Sequence, residues 1–412
     1  MIKILQVRNV DSFVESRRQK TSEKDRKIVQ SILNDVRKNG DSAVKKYERK
    51  FNGRKTSQLR VSAKEIKEAR SKISREEVTA LQTMSARLSN SSPKIQIRGS
   101  RKFVAIPSVG CYIPGGQARY PSSVVMSVIP AKIAGVKRIV IVSPPDRDGK
   151  IDPLTIVAAK KCGATEIYKI GGAQAIGALA YGTKSIPKVD KIVGPGGKFV
   201  SIAKSLVSDQ TAIDMVAGPT ELGIIADASS DPELIALDLI SQAEHSRDTM
   251  CFVITQSKTM AKQIQKSIEK LIPGTERSSI IKESISKNGF IAVCKNENEM
   301  IGLANEIAPE HMELMVKNAK TLSKKITGAG LLLIGKNTPS SASDYLLGTN
   351  HILPTNGFGR TRGGLSVLDF LKLQTVIESK KSGLRKISKS LKVLTDAEDL
   401  PNHYKAVKRR LD

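Results

Sequence analysis

The stretch "TEIYKIGGAQAIGALAYG", residues 165–182, contains the pattern that decides the fold class. A short run of β-branched and aromatic residues ends on a glycine pair, and an alanine-rich, helix-forming run follows at once. In parallel α/β proteins, a strand leads through a tight turn into the helix that crosses to the next strand. This segment therefore predicts one strand–turn–helix unit of a parallel sheet.

The same alternation recurs before and after this segment. Strand-like runs that alternate with helical runs occur at residues 137–145, 190–197, 220–227, 251–257, 289–294 and 328–335. The first hundred residues are charged and carry apolar residues at three-to-four spacing, which is typical of helices. We therefore expect two α/β domains, a helical N-terminal region and, from about residue 371, a basic helical tail with little core of its own.

Composition narrows the class of protein. The chain has 412 residues, of which 39% are hydrophobic. It contains no run of about 18 consecutive apolar residues that would predict a membrane span. The N-terminus is too polar for a secretory signal, so we expect a cytoplasmic protein. Its cysteines are scattered without a CxxC pair, which argues against a disulfide framework and against a thiolate metal site.

The net charge of +28 allows two interpretations. A basic chain is compatible with nucleic-acid binding. Lysine and arginine are, however, spread along the whole chain, with no interleaved aromatic residues and no helix-turn-helix or zinc-finger pattern. The favoured interpretation is therefore a solvated basic surface, which can also attract anionic small molecules.

All four histidines lie near residues that catalysts use. Gln242 and His245 are three positions apart in a helical run, so we expect them on one helix face. The other three lie near carboxylates, in the pairs Glu310 and His311, Asp344 and His351, and Glu398 and His403. One such histidine is more often a hydrogen-bonded structural residue, but four favour a site. Imidazole and carboxylate without thiolate suit zinc, manganese or cobalt, so a mixed nitrogen–oxygen metal site is one hypothesis.

Three glycine-rich turns favour a nucleotide or phosphate site. They are "YIPGG" (112–116), "IGGAQAIG" (170–177) and "VGPGGKFV" (193–200), and each lies where a strand meets a helix or turn. Backbone N–H groups at such turns can approach a phosphate. None matches GxGxxG and a single turn is more often structural, but three within one α/β unit are a better sign of binding.

An ordered set of seven motifs resembles the histidinol dehydrogenase family over nearly the whole chain. The motifs are "GCYIPGG", "GGAQAIGALAYGT", "VDKIVGPGG", "IDMVAGPTE", "DLISQAEHS", "APEHMEL" and "SDYLLGTNHILPT". The resemblance implies a zinc-dependent, NAD-linked oxidation of L-histidinol through L-histidinal to L-histidine, the last step of histidine biosynthesis. It also implies two doubly wound, Rossmann-like (aldehyde-dehydrogenase-like) α/β domains. The larger would comprise residues 1–111 and 220–370, the smaller, with NAD-contacting loops, residues 112–219, and the partner-contacting tail residues 371–412.

The resemblance assigns a role to each candidate residue. One zinc ion per subunit is implied, with the ligands Gln242, His245, Asp344 and His403, the last donated by the other subunit of a homodimer. Glu310 and His311 match the catalytic acid–base pair. Substrate-contacting positions match Thr220 (usually Ser in the family), Gln242, His245, His311, Asp344, His351, Glu398 and His403. NAD-contacting positions match Tyr112, Gln174 and Gly197.

Two other functions remain as alternatives. A relative on the same scaffold could oxidise another polar alcohol with NAD, although Glu398, His351 and His403 favour an imidazole-bearing substrate. A basic nucleic-acid-binding protein on an inactive scaffold is suggested by the charge alone. The complete set of proposed ligands and the Glu310–His311 pair argue against it.

Gly197 departs from the resemblance, because the family usually has Asn at this position, where contact with NAD is expected. Losing that side chain removes one hydrogen bond, or about 0.5–1.5 kcal/mol. We therefore expect weaker NAD binding than in a Gly197→Asn variant, measured as the Michaelis constant for NAD. A normal constant that the substitution leaves unchanged would dismiss this hypothesis.

Overall fold

The computed structural model describes residues 1–18, 22–53, 58–92, 101–115 and 119–412. The chain divides into two compact units. The first comprises Met1–Pro93 and Ala105–Leu371, and the second comprises Lys94–Val104 and Lys372–Asp412. No helix within the described ranges is long and apolar enough to cross a membrane.

Strands and helices alternate along most of the described chain, across both units. The strands are β1 Lys3–Leu5, β2 Arg101–Ala105, β3 Ser108–Tyr112, β4 Arg138–Ser143, β5 Glu166–Lys169, β6 Lys191–Val193, β7 Ala212–Ile213, β8 Glu221–Ala226, β9 Met250–Thr255, β10 Phe290–Val293, β11 His311–Met315, β12 Leu331–Ile334 and β13 Leu371–Thr375. The helices are α1 Val10–Arg17, α2 Glu23–Asn39, α3 Asp41–Asn52, α4 Ala63–Ser71, α5 Arg75–Ser91, α6 Pro121–Ala134, α7 Pro153–Cys162, α8 Gly172–Tyr181, α9 Lys198–Val207, α10 Pro232–Ala243, α11 Lys258–Leu271, α12 Ser278–Asn288, α13 Glu297–Ile307, α14 Ala319–Ser323, α15 Ser340–Ser343, α16 Lys381–Ala397 and α17 Pro401–Lys408.

The first unit contains two parallel sheets. The larger has the strand order β1-β10-β9-β8-β11-β12, and the smaller has the order β5-β4-β3-β6-β7. In the smaller sheet the chain runs outward from β3 through β4 to β5 and then adds β6 and β7 on the other side of β3. In the larger sheet it runs from β8 through β9 to β10 and then adds β11 and β12 on the other side of β8, while β1 pairs with β10 at the edge. The switch points therefore lie between β8 and β11 and between β3 and β6. The predicted α/β class with two doubly wound parallel sheets is confirmed.

Helices cover both faces of each sheet, so the central strands are buried without alternation. The strands β3, β8 and β11 are buried at every residue. The predicted strand at residues 137–145 is β4, and the helical run that follows it is α7, which is capped by Gly163. Gly163 has a φ of 107°, a left-handed conformation that glycine adopts without the steric cost a side chain would meet.

The helices α2 to α5 pack with the smaller sheet. Leu33 and Val36 of α2 are buried in the same core as Val140 of β4. Gly177 in α8 permits this close approach, since a Cβ there would lie 3.1 Å from Leu33. Of the described N-terminal elements, β1 and α1 pack with the larger sheet.

This packing differs from the expected division of the chain, which placed residues 1–111 with the larger domain. The boundary at residue 111 also falls inside β3, a central strand of the smaller sheet. The physical reason is that amphipathic helices bury their apolar faces on whichever sheet face is still uncovered. Here that face belongs to the smaller sheet.

Two elements near the site escaped the sequence patterns. The helix α6 is buried on all sides along most of its length, so it lacks the polar face that produces helical periodicity. The strand β11 begins at His311 and contains a buried glutamate, Glu313. A search for apolar strand runs does not recognise such a segment.

Lys204 and Asp214 form a buried ion pair that fixes the glycine turn after β6. Lys204 Nζ donates to the Gly194 carbonyl at 2.9 Å, and the Gly194 N–H donates to Asp214 Oδ2 at 2.7 Å. Gly194 has a φ of 112° and faces the Tyr112 carbonyl so closely that no side chain fits. Removing one partner of a buried pair typically costs about 3–5 kcal/mol, because the other charge is left unpaired.

All four cysteines, Cys111, Cys162, Cys251 and Cys294, are buried and free. Their free state agrees with the argument against a disulfide framework. Burial raises the pKa of each thiol. Little thiolate therefore forms at neutral pH, and Cys111 has no properties of a nucleophile.

The second unit contains the chain's C-terminal helices. The strands β2 and β13 pair, and α16 and α17 follow, so the tail is helical as predicted. Within α16, which is described throughout, Thr395 is the one buried residue. Among the described residues of this unit, large apolar side chains are exposed at Leu373, Val376, Ile377, Ile387, Val393, Leu394 and Leu400. Apolar surface on this scale is typical of an interaction surface.

Candidate active site

A cavity of about 1040 Å³ lies between the two sheets of the first unit. On one side, Pro114 and Pro195 line it just beyond the C-terminal ends of β3 and β6. On the other side, Thr220 and Glu310 line it just before the N-terminal ends of β8 and β11. Open α/β sheets bind ligands beyond the C-terminal ends of their strands at a switch point. The smaller sheet follows this rule, and the larger sheet contributes its opposite edge.

Two neighbouring glutamates occupy the edge of the larger sheet. The pairing of β8 with β11 sets Leu222 opposite His311, so Glu221 and Glu310 lie side by side. The Glu221 N–H donates to Glu310 Oε2 at 3.0 Å, and the Glu310 N–H donates to Glu221 Oε2 at 3.2 Å. Each carboxyl group therefore holds the backbone of the other residue.

Burial raises the pKa of both carboxyl groups, to about 8 for Glu310 and to about 7 for Glu221. For Glu310, the charges of Asp344 and Glu221 add to the effect of burial, whereas His311 opposes it. A carboxyl group whose pKa lies near neutrality can both accept and release a proton at physiological pH. Glu310 thus has the properties of a general acid–base group.

His311 is buried and forms a close pair with Asp344. Its Nε2 lies 3.1 Å from Asp344 Oδ1, and its Nδ1 lies 3.4 Å from the Glu221 carbonyl. Burial lowers the pKa of His311, but the bond to Asp344 and the neighbouring carboxylates outweigh burial and raise the pKa to about 9. Burial raises the pKa of Asp344, yet His311 holds it below its usual value. The pair therefore favours an imidazolium beside a carboxylate.

Two more histidines lie near Asp344. His351 Nδ1 lies 2.9 Å from the Asp344 carbonyl, and its Nε2 lies 3.2 Å from Ser123 Oγ. Because a carbonyl can only accept, Nδ1 of the neutral ring carries the proton and Nε2 accepts from the Ser123 hydroxyl. Burial lowers the pKa of both His245 and His351, and the charge of Asp344 opposes this effect. Asp344 is therefore the common neighbour of three imidazoles.

Gln242 and His245 meet the cavity in a different way from the predicted shared helix face. The helix α10 ends at Ala243, and the His245 N–H donates to the Gln242 carbonyl at 3.2 Å. Gln242 lines the cavity from the last turn of the helix, and His245 lines it from the turn that follows. Gln242 is buried, and its Nε2 has no hydrogen-bond partner among the described residues. A buried amide in this state is expected to gain a partner from a ligand.

The residues of the first unit that could hold a metal ion are Gln242, His245 and Asp344. All three line the cavity, and their amide, imidazole and carboxylate donors suit zinc. His311 engages Asp344 Oδ1, so Oδ2 is the oxygen available to a cation. Within the described ranges, no three His, Cys, Asp or Glu side chains form a metal-binding cluster. The donors present fit zinc provided that a further ligand completes the set.

The structure brings together most of the predicted site residues and leaves two in the second unit. Those that line the cavity are Thr220, Gln242, His245, Glu310, His311, Asp344, His351 and Gly197. His403 lies in α17 and Glu398 caps α16, and both are exposed. A role for His403 and Glu398 at the site stays a prediction.

Tyr112 and Gln174, the other two predicted NAD contacts, are buried and absent from the described lining of the cavity. The Tyr112 hydroxyl accepts the Gly172 N–H at 3.1 Å. Glu48 of α3 accepts the Gly171 N–H at 2.9 Å and Gln174 Nε2 at 2.8 Å. The amides of this glycine turn, expected to approach a phosphate, are instead engaged by protein side chains.

The glycine turn after β6 lines the cavity with consecutive residues. Pro195, Gly196, Gly197 and Lys198 line it where α9 begins. A helix N-terminus favours an anionic group. Gly116, in the turn at residues 112–116, lies outside the described residues.

Two residues were not predicted from the sequence. Glu221 contacts Glu310 at the site, and Glu48 holds the glycine turn at Gly171. Glu48 lies in the charged run "KKYERKF", where an acidic residue predicts exposure to solvent, yet it is fully buried. Glu221 follows Thr220 directly, but it starts a strand rather than a catalytic pattern. No local signal distinguishes either residue, because both act through contacts distant in sequence.

A buried acid–base cluster at a cavity between two α/β sheets is the arrangement of an enzyme site. The sequence profile described as "Histidinol dehydrogenase" matches residues 15–411 of this chain. Similar sequences include histidinol dehydrogenase of Oceanobacillus iheyensis, 41% identical over 390 residues, with 92% of this chain and 91% of the relative covered. That of Methanococcus maripaludis is 43% identical over 397 residues, with 93% of each chain covered.

The crystal structure of histidinol dehydrogenase from Elizabethkingia anophelis is similar over the whole chain. Its TM-score is 0.92 at 34% sequence identity, with 100% of this chain and 98% of that chain covered. The chain therefore belongs to the histidinol dehydrogenase family. Membership makes it an oxidoreductase of histidine biosynthesis, and the resemblance carried by the seven motifs is confirmed.

The raised pKa of Glu310 predicts that the free energy of unfolding depends on pH. This pKa is raised from 4.5 to about 8 in the folded protein. The protonated group therefore contributes its full stabilisation below the pKa of the unfolded chain. This contribution is lost as the pH rises through the pKa of the folded protein. Glu310→Gln removes this group, so the variant should gain stability relative to the wild type between about pH 5 and about pH 8. Denaturant unfolding of the chelated proteins measures the difference. A constant difference across this range would contradict the raised pKa.

Proposed function

We propose that this chain catalyses the zinc-dependent, NAD-linked oxidation of L-histidinol through L-histidinal to L-histidine. The observation that carries the proposal is the cluster of Glu310, His311 and Asp344 in a cavity that Gln242 and His245 also line. Oxidation of an alcohol requires a base for the hydroxyl proton, and oxidation of the aldehyde requires a base for water. Two adjacent buried titratable groups can serve these two steps.

His311 is proposed to accept the hydroxyl proton at Nε2. Its Nδ1 faces the Glu221 carbonyl, which can only accept, so Nδ1 keeps its proton and Nε2 is the basic nitrogen. In the imidazolium form Nε2–H donates to the Asp344 carboxylate, which stabilises the protonated ring and must release Nε2 before that nitrogen can accept a proton. Neutralising that carboxylate with a cation would lower the pKa of His311 and make it a better base at neutral pH.

Glu310 is proposed to take a proton from the water that attacks the aldehyde. Its Oε2 is occupied by the Glu221 N–H, so the proton would be exchanged at Oε1. A pKa near 8 means that a useful fraction of this carboxyl group is ionised at neutral pH while it remains a good base. The side chain lines the cavity, where a water molecule can approach it.

One zinc ion per subunit is proposed to be held by Gln242, His245, Asp344 and the partner subunit's His403. When bound, zinc supplies positive charge that orients the amine and imidazole nitrogens of the substrate, and NAD supplies the hydride acceptor. Gln242, His245 and Asp344 line one cavity, and an amide oxygen, an imidazole nitrogen and a carboxylate oxygen suit zinc, which supports this ligand set. Thr220, His351 and Glu398 are proposed to contact the substrate.

NAD is proposed to bind along the smaller sheet's side of the cavity. The cavity, at about 1040 Å³, is as large as the largest common ligand pockets, which span about 300–1,000 Å³. It can therefore hold a small substrate beside the part of NAD that reacts. Gly197 would contact the cofactor directly. Tyr112 is proposed to support it by accepting the Gly172 N–H, and Gln174 by donating to Glu48, which accepts the Gly171 N–H.

A homodimer is proposed to complete each site. His403 and Glu398 are exposed, and the same unit exposes apolar side chains such as Ile377 and Val393. Exposed apolar patches of this kind mark surfaces that pack against another chain. A symmetric dimer would bury this surface and give each cavity a fourth ligand from the partner.

NADH formation from L-histidinol by the purified, zinc-loaded protein tests the substrate, the stoichiometry and the metal together. We expect two NADH per histidinol, loss of activity on chelation and recovery with zinc, because both oxidations need the substrate to be oriented. No NADH from a folded, metallated protein would leave the family assignment standing and remove the substrate. Other polar alcohols would then be the candidates.

Mixing two inactive variants tests whether sites are shared. In a heterodimer of His403→Ala and His245→Ala chains, one of the two sites keeps every ligand, so a fully exchanged mixture should recover roughly a quarter of the wild-type activity. The matched control pairs His245→Ala with Asp344→Ala. Both of these lesions lie in the first unit, so no site is intact and no activity should return. No recovery in the first mixture would argue against the shared site.

A further inference from the structure

Glu221 has no role in the reaction as described so far, yet its side chain joins two parts of the site. Its Oε2 accepts the Glu310 N–H at 3.2 Å, and its Oε1 accepts the Asn356 N–H at 2.9 Å. The side chain is buried. One carboxyl group therefore ties the residue before β11 to a turn that also lines the cavity.

Both attachment points lie beside strained backbone. Ala308, two residues before Glu310, has a φ of 49°, and Asn356 has a φ of 57°. Residues other than glycine in this region cost roughly 1–3 kcal/mol and persist where the surroundings fix them. Thr355 Oγ1 also accepts the Gly218 N–H at 2.5 Å, so the turn is tied to the segment before Thr220 as well.

The position of the Glu310 carboxyl group depends on the same residue. The Glu221 N–H engages Glu310 Oε2 at 3.0 Å, which orients the remaining oxygen. Displacing a catalytic group by about 1 Å can lower the rate by about 100-fold. Holding both the peptide and the carboxyl group of Glu310 is therefore a requirement of its chemistry.

We propose that Glu221 is the positioning residue for Glu310, fixing the peptide that carries the base and, through Asn356, the adjoining turn of the cavity. The inference rests on the proposed function, in which Glu310 activates water. Glu221 touches neither substrate nor cofactor in this role. It acts through Glu310.

The titratable and charged groups that face Glu221 determine how a substitution should change the pH profile. They are Glu310 and His311 at the start of β11 and Arg18 after α1. The charge of Glu221 is one of the causes that raise the pKa of Glu310. Removing that charge should lower the pKa of Glu310 and move the acid limb of the kcat profile to lower pH.

Two substitutions separate the effect of the Glu221 charge from the effect of its side-chain length. Glu221→Gln keeps the shape but sets an N–H donor against a backbone N–H, whereas Glu221→Asp keeps the charge but is too short to reach both amides. Each should lower kcat by about 10- to 100-fold, with the KM for histidinol little changed. The acid limb should move to lower pH in Glu221→Gln and stay in place in Glu221→Asp.

The matched control is Glu166→Gln in the smaller sheet. Glu166 is also a half-buried carboxylate that joins elements, since it accepts from Arg138 and from the Tyr168 hydroxyl at 2.7 Å each. This variant should lose thermal stability and retain both kcat and the position of the acid limb. It measures what a structural loss alone does.

Hydrogen exchange gives a readout that does not depend on activity. Peptides that contain Glu310 and Asn356 should exchange faster in both Glu221 variants and should match the wild type in Glu166→Gln. A wild-type kcat and pH profile in Glu221→Gln would overturn the proposal, as would faster exchange spread over the whole chain. If the wild type makes no NADH from histidinol, the proposed function fails, whereas exchange at these two peptides still decides whether Glu221 holds them.

Discussion

The parallel pairing of β8 with β11 is the interaction on which the rest of the site depends. Because Leu222 lies opposite His311, the residues that enter the two strands meet at one sheet edge, and Glu221 and Glu310 exchange hydrogen bonds there. A slip of one residue would turn His311 to the other face of the sheet and away from Asp344. The buried strand therefore sets the geometry of the chemistry, and the loops adjust to it.

The two sheets contribute different properties to one cavity. The smaller sheet presents a glycine turn held by the Lys204–Asp214 ion pair, which is a rigid, polar backbone surface. The larger sheet presents buried titratable side chains whose pKa values are shifted by burial and by one another. The backbone surface for binding and the acid–base groups with shifted pKa values therefore lie on different sheets. Each is held in place by a separate hydrophobic core. Burial shifts the pKa values of the acid–base groups on the larger sheet's side, whereas the buried charges of Lys204 and Asp214 on the smaller sheet's side are paired with each other.

Local patterns predicted the strands and helices well where apolar periodicity or a glycine turn was present, as in β4 and α7. They failed where burial was complete, as in α6, or where a strand contained functional residues, as in β11. The seven motifs led to the residues of the cavity. They could not show that Tyr112 and Gln174 lie behind a glycine turn, since Glu48 reaches that turn from a helix more than a hundred residues earlier in the chain. Contacts of that separation leave no local trace.

The buried cysteines have a practical consequence for solution studies. Burial raises the pKa of Cys162 and Cys294 to about 11, and it raises the pKa of Cys111 and Cys251 as well. Alkylating dyes react with accessible thiolates, so the four native cysteines of the folded chain should react slowly. A single cysteine introduced on an exposed helix would then be labelled selectively. Fluorescent or spin probes could be attached without first removing the native thiols and disturbing the cores that they fill.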